Sequence, residues 1–218
     1  MMTPRVAAIH DMSGFGRCSL TVAIPILSAM GVQCCPLPTA FLSTHTGGFE
    51  GFTFLDMTDE MSKVADHWAS LGLTFQAVYS GFLGSERQIG VVENFICRFR
   101  GPDTVVVVDP VMVATSGDRL ITEDAVSALK ELLLPLATVL TPNIPEAEIL
   151  SGMTIRSAAD MEAAARAISE QYGCAVLCKG GHQINDADDL LWRSGTGKWF
   201  HGKRIANPNT HGTGCTLS

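Results

Sequence analysis

The sequence has no long hydrophobic run and no excess of positive charge. Its apolar stretches are shorter than the roughly 18 residues that a membrane-spanning helix needs, so we expect no membrane partner. The 15 Lys and Arg against 22 Asp and Glu give a net charge of −7, which argues against a nucleic-acid partner. The first residues also lack the apolar region and cleavage site of a secretory signal. These absences favour a cytoplasmic enzyme or binding protein.

The sequence also lacks the cysteine patterns of disulfide and zinc proteins. It has seven cysteines, an odd number, with no C-x-x-C pair. Cys174 and Cys178 are spaced C-x3-C, and no second Cys or His pair follows at zinc-finger spacing. We therefore expect reduced thiols, most of them small core residues.

The length and composition predict a single domain over residues 1–218. The chain is 46% hydrophobic and 17% charged, which is enough apolar material for one α/β core. Short apolar runs alternate with longer amphipathic runs. The predicted strands are 6–10, 32–37, 75–79, 104–109, 138–140 and 175–178, with short strands between 190 and 206 around a turn at 194–197. The predicted helices are 17–30 (kinked or broken at Pro25), 57–71, 86–100, 123–134, 145–150 and 158–172.

This alternation predicts a doubly wound, mostly parallel sheet with helices on both faces. The run TVVVVD at 104–109 has no polar–apolar alternation, which is typical of a central parallel strand. Loops at the carboxyl ends of such strands carry the chemistry. Polar clusters follow five of the predicted strands, at 10–11, 80–81, 109–110, 141–143 and 179–182. Polar clusters at the carboxyl ends of so many predicted strands indicate an enzyme.

The final segment HGTGCTLS is typical of a glycine-rich loop that opens a helix. The backbone amides of Gly212, Thr213 and Gly214 would bind an anion there, unless the segment is an ordinary glycine turn. Cys215 would have its thiolate stabilised by the helix dipole, or would be a buried structural thiol. Because a helix of about four residues is not stable alone, we expect that C-terminal helices are missing from this sequence.

Four other polar residues suit metal and phosphate chemistry. Asp109 ends a buried strand, where a carboxylate can hold Mg²⁺ or its waters or can be a cap or a salt-bridge partner. Asn143 and Glu146 are three residues apart and are either the cap and first-turn acid of a helix or neighbours of metal and phosphates. Lys179 precedes two glycines and would either contact a phosphate or be solvated.

A hydroxyl-rich segment follows the second predicted strand. It contains Ser43, Thr44, His45, Thr46 and Gly47, and it would hydrogen-bond a heteroaromatic ring or form an exposed polar turn. By contrast, the segment SGFG at 13–16, expected to open the first helix, is only a partial dinucleotide fingerprint. We therefore expect no nicotinamide cofactor.

Taken together, these segments resemble the vitamin-kinase branch of the ribokinase-like superfamily. The stretches IHDMSGFGRCSLTVAIPILSAMGV, PLPTAFLSTHTGGFEGF and YSGFLGS look most like pyridoxal and pyridoxamine kinases. From residue 108 onward, VDPVMVATSGDRL, LLPLATVLTPNIPEAEIL, KGGH and NTHGTGCTLS look most like hydroxymethylpyrimidine phosphate kinases and the pyridoxal kinases closest to them. The combination of TPNxxE with HGTGC is the specific part of the resemblance.

The resemblance implies roles for the residues that match the motifs. Asp109 and Glu146 would serve Mg²⁺ and its waters. The ATP phosphates would be contacted by Asn143, Lys179, Gly181 and Thr213. Gly212, Thr213 and Gly214 would form the anion hole, and Cys215 stands where many relatives carry a base Asp. The substrate ring would be contacted by Asp11 and by Ser43, Thr44, His45 and Thr46, with Thr46 and Gly47 near a lid.

The implied activity is ATP-dependent phosphorylation of a hydroxymethyl group on a pyridine or pyrimidine ring. We expect vitamin B6 as the substrate, that is pyridoxal, pyridoxamine or pyridoxine. The alternative is a hydroxymethylpyrimidine or hydroxymethylpyrimidine-phosphate kinase of thiamine biosynthesis. A second alternative is a B6- or nucleotide-binding protein with weak catalysis. Because such kinases are often homodimers, the resemblance also implies a homodimer.

Overall fold

A computed structural model describes residues 3–113, 119–180, 187–203 and 212–218. Its nine strands in these ranges are β1 (Arg5–Phe15), β2 (Gln33–Thr44), β3 (Phe54–Asp56), β4 (Ala77–Ser80), β5 (Val105–Val108), β6 (Val139–Leu140), β7 (Ala175–Cys178), β8 (Asp189–Arg193) and β9 (Thr196–Phe200). Its α-helices there are α1 (Leu20–Ala29), α2 (Thr58–Ser70), α3 (Glu86–Phe99), α4 (Glu123–Ala128), α5 (Ile144–Ser151), α6 (Ala158–Tyr172) and α7 (Thr213–Leu217).

The strands form one sheet in the order β3-β2-β1-β4-β5-β6-β7-β8-β9. The six strands from β2 to β7 in this order pair in parallel, and β3, β8 and β9 are antiparallel additions at the two edges. This mostly parallel sheet with interspersed helices confirms the predicted fold class.

The side chains of β1 alternate between two cores. Ala7 and Ile9 join the larger core, which includes buried residues of α2, α3 and α6, whereas Val6 and Ala8 pack with α1. Successive residues of a strand point to opposite faces, so this division places helices on both sides of the sheet. Burial on both faces explains why the central strands are apolar throughout.

Several predicted boundaries are wrong. β1 runs through Phe15 and β2 through Thr44, so Ser13 and Ser43 belong to strand ends rather than to loops. α1 begins only at Leu20 and continues through Pro25. The predicted helix 123–134 is α4 followed by a π turn at Leu129–Leu133 and a 3₁₀ turn at Leu134–Leu136, because the proline at 135 has no N–H to donate.

The strand order reverses beside β1, and this positions the site. The chain adds β2 on one side of β1 and β4 on the other, so a crevice opens between the carboxyl ends of β1 and β4. The β1–β2 register also shifts between His10 and Met12. A bulge of this kind redirects side chains next to a site. The residues after β5, β6 and β7 lie along the same edge of the sheet.

Candidate active site

Asp109 and Lys179 meet where β5 and β7 end, with β6 between them. Lys179 Nζ lies 2.8 Å from Asp109 Oδ1, and both side chains are at least nine-tenths buried. Burial alone would lower the pKa of Lys179, but the carboxylates of Asp109 and Glu146 outweigh it and raise that pKa. Lys179 is therefore a fixed cation at the carboxyl edge of the sheet. Together with Asn143 and Glu146 we call these residues the carboxylate cluster.

Glu146 is both a helix-capping residue and a neighbour of the charged groups at the sheet edge, the two roles that its sequence position allows. It forms a capping box with Asn143: Asn143 Oδ1 accepts from the Glu146 N–H at 2.9 Å, and Glu146 Oε2 accepts from the Asn143 N–H at 2.9 Å. Its Oε1 accepts from the Met112 N–H at 3.1 Å. Burial and then the nearby Asp109 carboxylate raise the pKa of Glu146 to about 8, although Lys179 opposes the shift. The cap residue is therefore also part of the charged site.

The donor atoms of the carboxylate cluster suit a hard cation. Asp109 and Glu146 offer carboxylate oxygens, the ligand type that Mg²⁺ binds, often through waters and substrate phosphates. Among the described residues no group of three or more His, Cys, Asp and Glu forms a ready-made metal cage. Two carboxylates completed by phosphate oxygens would fit Mg²⁺ better than a cage built from protein alone.

A second cluster lies at the end of β1. Asp11 Oδ1 is 2.7 Å from His10 Nδ1 and accepts from the Ser19 hydroxyl at 2.7 Å, while Asp11 Oδ2 is 3.4 Å from the Ser13 hydroxyl. The first of these contacts joins two buried side chains. We call His10, Asp11, Ser19 and Cys215 the thiol cluster. The carboxylate of Asp11 is thus held by protein donors, and its predicted contact with a substrate ring stays a prediction.

Cys215 completes the thiol cluster from a distant part of the chain. Burial would raise the pKa of its thiol, but His10 and the backbone N–H of Ser19 outweigh burial and lower that pKa. The sequence predicts a stabilised thiolate from the dipole of the following helix. The largest contribution that lowers this pKa comes from His10.

The segment 212–218 joins the two clusters. The Ser218 hydroxyl lies 2.8 Å from Asp109 Oδ2 and accepts from Lys179 Nζ at 3.1 Å. A Cβ on Gly214 would lie 3.7 Å from Lys179 Nζ, so the glycine-rich backbone passes beside that cation. A Cβ on Gly212 would lie 1.9 Å from the Arg17 carbonyl oxygen, and Gly212 also has a φ of 85°. Only glycine permits this close approach.

The hydroxyl-rich segment lies beside the end of β1. Ser43 and Thr44 are in β2, and the His45 N–H donates to the Phe15 carbonyl at 3.1 Å. Thr46 and Gly47 follow in an exposed turn, where the Gly47 N–H donates to His45 Nδ1 at 3.2 Å. The segment therefore lies along the end of β1, on the side of β2. Gly181 lies outside the described residues.

Sequence reasoning missed two members of the thiol cluster, His10 as the partner of Cys215 and Ser19 as the partner of Asp11. A signal existed for His10. The dipeptide His10-Asp11 directly follows the apolar run VAAI, and a titratable pair is unusual there. Contact with Cys215, by contrast, depends on how the segment 212–218 packs and leaves no local sequence pattern.

Comparison with known proteins assigns a family. Residues 24–218 match the family described as phosphomethylpyrimidine kinase. The chain is 36% identical over 219 residues to a hydroxymethylpyrimidine/phosphomethylpyrimidine kinase of Rhizobium meliloti, covering all of this chain and 80% of the relative. It is 44% identical over 194 residues to the Bacillus subtilis protein of the same name, covering 88% of this chain and 69% of the relative.

Among solved structures, the pyridoxal kinase from Staphylococcus aureus in complex with AMP-PCP is similar. It matches with a TM-score of 0.87 at 25% identity, covering all of this chain and 78% of that one. The likeness supports the predicted nucleotide chemistry.

Among the described residues, no helix has both the length and the apolar character required to cross a bilayer.

The comparisons overturn the expected preference for vitamin B6. The relatives with 36% and 44% identity are named for hydroxymethylpyrimidine and its phosphate, whereas the pyridoxal kinase is only 25% identical. The expectation came from the N-terminal third, where the hydroxyl-rich segment resembles B6 kinases. Family membership, however, rests on nearly the whole chain.

Proposed function

Because this chain belongs to the phosphomethylpyrimidine kinase family, we propose that it transfers the terminal phosphoryl group of ATP to hydroxymethylpyrimidine and to its monophosphate. The observation that carries the proposal is the identity of 36% over the whole chain to a relative of that name. Members of this family are kinases that act on an alcohol or on its phosphate ester. Beyond membership of the family, the proposal identifies the acceptor as a hydroxymethylpyrimidine.

The carboxylate cluster supports the nucleotide half of this reaction. Phosphoryl transfer needs mainly positioning and neutralisation of charge. Lys179 supplies a buried cation, and the backbone of Gly212–Gly214 would supply amides beside it. When bound, Mg²⁺ would be held by Asp109 and Glu146 and would neutralise phosphate charge. Asn143 stays close through its capping box with Glu146.

The thiol cluster supports the acceptor half. A hydroxymethyl group loses its proton during attack on the phosphoryl group, and a positioned base can accept that proton. Cys215 has a thiol whose pKa is lowered by His10, at the carboxyl end of β1 where the crevice opens. We assign it as the general base. The segment from Ser43 to Gly47, beside the end of β1, would contact the flat ring, as the resemblance implies.

An ATP-consumption assay with four acceptors tests the acceptor. The acceptors are hydroxymethylpyrimidine, its monophosphate, pyridoxal and pyridoxamine, each with Mg²⁺ and ATP. We expect kcat/KM for the pyrimidine to exceed that for pyridoxal by about tenfold or more, a difference of about 1.4 kcal/mol in transition-state binding. A preference for pyridoxal, or saturable binding of every ligand without turnover, would contradict the proposal.

The variant Asp109→Asn provides the catalytic control. It keeps the shape of the side chain and removes its charge, so we expect kcat to fall by about 100- to 1000-fold, as for other single electrostatic contacts to a transition state. The exposed Asp66, which pairs with Arg98 at the surface, offers a matched Asp66→Asn variant that should keep full activity. Equal activity of the two variants would exclude Asp109 from catalysis.

A further inference from the structure

The buried face of α3 carries one polar side chain. Of the buried residues of this helix, five are apolar, and Gln88, which is 1% exposed, is the exception. Burying an amide costs free energy unless its polar atoms find partners. An apolar side chain of similar size would avoid that cost, so the amide at this position indicates a requirement other than packing.

The amide of Gln88 is bonded to three neighbouring elements. Its Nε2 donates to the Thr39 carbonyl of β2 at 2.8 Å and to the Thr58 hydroxyl of α2 at 3.0 Å. Its Oε1 accepts from the Gly84 N–H, after β4, at 2.9 Å. Because the Thr58 hydroxyl donates its own proton to Asp56, it can only accept from Gln88, and this fixes the orientation of the amide.

Thr39 lies in a bulge of β2. The β1–β2 register leaves two residues of β2, Thr39 and Ala40, opposite Asp11 alone. A bulge disrupts the ladder locally, so bonds from outside the strand pair help to hold it. The Thr39 carbonyl receives two such bonds, one from the Met57 N–H at 3.0 Å and one from Gln88. Gln88 therefore supports the bulge that lies opposite the carboxylate of the thiol cluster.

Residues 81–85, which we call the β4 segment, follow β4 at the crevice. Phe82 is bonded on both sides, since its N–H donates to His10 Nδ1 at 3.4 Å and its carbonyl accepts from the Thr39 hydroxyl at 3.2 Å. Further along, the Gly84 N–H is held by the amide on α3. The β4 segment is therefore bonded to the end of β1 and, directly and through α3, to the β2 bulge.

These bonds place Gln88 behind the crevice. The crevice opens between the carboxyl ends of β1 and β4, so the position of the β4 segment sets its width. We propose that Gln88 is a positioning residue for the acceptor, which holds the β4 segment and the β2 bulge at a fixed separation. The inference rests on the proposed function, because that function places the acceptor at the end of β1. A wall held in its binding position before the ligand arrives reduces the entropy cost of binding.

The variant Gln88→Met tests the proposal by kinetics. It keeps the length of the side chain and removes its hydrogen bonds to Thr39, Thr58 and Gly84. We expect KM for the hydroxymethylpyrimidine acceptor to rise about tenfold and KM for ATP to stay within about twofold. The split is expected because the hydrogen bonds of Gln88 reach no member of the carboxylate cluster. Steady-state rates, with each substrate varied while the other is saturating, measure it.

Thr104 offers a matched control at the opposite edge of the sheet. It is buried before β5, where its hydroxyl donates to the Phe75 carbonyl at 3.0 Å and accepts from the Gly101 N–H at 2.9 Å. Thr104→Val removes a similar pair of bonds, so it should lower the melting temperature while leaving the acceptor KM in place. An equal rise of the acceptor KM in both variants, or none in Gln88→Met, overturns the proposal.

Hydrogen–deuterium exchange of the full chain provides a measurement without substrate. In Gln88→Met the amides of the β4 segment should exchange about tenfold faster, as expected for the loss of a hydrogen bond. In Thr104→Val the faster exchange should be confined to the segment 101–104. If Gln88→Met does not fold, Thr39→Val, which removes the hydroxyl bond to Phe82, takes its place, with smaller changes in the same direction. Unchanged exchange of the β4 segment overturns the proposal.

The choice of acceptor separates this proposal from the function on which it rests. If pyridoxal is phosphorylated and the pyrimidine is not, the proposed function fails, and the same rise of KM is expected for pyridoxal. If no acceptor is phosphorylated, calorimetric titration with each acceptor replaces KM, and weaker binding to Gln88→Met than to the wild type supports the positioning role. Equal affinity of the two proteins for the acceptor overturns it.

Discussion

The carboxylate cluster and the thiol cluster lie at the same edge of the sheet but hold charge in opposite ways. In the first, two buried carboxylates share one cation, and burial raises the pKa of Glu146 to about 8. In the second, one carboxylate holds one imidazole, and the pKa of the Cys215 thiol falls in spite of burial. At neutral pH the first cluster therefore holds an Asp109–Lys179 ion pair beside a largely protonated Glu146, whereas in the second cluster the neighbouring His10 lowers the pKa of the thiol.

This difference matches the two halves of a phosphoryl transfer. Two carboxyl groups beside a lysine offer oxygen ligands to a cation, whose binding would displace the Glu146 proton, and a positive group to the phosphates that accompany it. A thiol whose pKa is lowered by a neighbouring imidazole would be the better acceptor for the proton of an alcohol. The comparison teaches that burial sets the direction of the pKa shift in the carboxylate cluster, where it raises the pKa of Glu146. In the thiol cluster a single neighbour, His10, outweighs burial and lowers the pKa of Cys215.

The largest expected effect comes from removing the shared cation. Lys179→Met leaves Asp109 buried without its partner, and we expect a loss of about 3–5 kcal/mol in the free energy of unfolding. Urea titration at pH 7 measures it. The control is Lys63→Met, which breaks an exposed pair with Glu60 and should leave the midpoint unchanged. Equal midpoints for the two variants would mean that the buried Asp109–Lys179 pair contributes no more to stability than an exposed pair does.

A second test uses pH to isolate the carboxylate cluster. The pKa of Glu146 is raised from 4.5 to about 8, so its contribution to stability is fully present below pH 4.5 and is lost as the pH rises through 8. In Glu146→Gln this loss disappears, leaving only a pH-independent cost because one backbone N–H loses its acceptor. We therefore expect the stability of the variant relative to the wild type to increase from pH 5 to pH 9. A constant difference would contradict the raised pKa.

The smallest effect tests the packing of the thiol cluster. Gly81→Ala places a methyl group where the His10 ring lies, so we expect about 1–3 kcal/mol of destabilisation. A methyl group added at Gly90 in α3 would meet no neighbouring atom within 4 Å, so Gly90→Ala should be neutral or stabilising by up to about 1 kcal/mol. Thermal unfolding measures both variants. A neutral Gly81→Ala would show that His10 is free to move.

The apolar periodicity of the sequence is sufficient to predict most of the framework. α6 (Ala158–Tyr172) and β7 (Ala175–Cys178) have the predicted bounds, since a serine cap and a left-handed glycine mark the helix ends. β3 was missed because its three residues are all exposed and carry no periodic signal. The extension of β1 into its glycine-containing end was missed because pairing with the long β2 overrides local preference.

The carboxylate cluster was more predictable than the thiol cluster for a physical reason. Its members directly follow parallel strands, and the carboxyl ends of neighbouring parallel strands meet at one edge. Asp109 and Lys179 could therefore be expected to lie near one another. The thiol cluster instead needs the loop before α1 to pack against the segment 212–218, which no periodicity encodes.

The close approach of Gly212 to the Arg17 carbonyl has a consequence for biosynthesis. His10 leaves the ribosome about two hundred residues before Cys215, so the two sides of the thiol cluster come together only when the segment 212–218 packs against the loop before α1. A nascent chain with a complete central sheet would still lack a reactive thiol. Activity would then begin at a late step of folding, and products truncated before Gly212 would be inert towards their substrates.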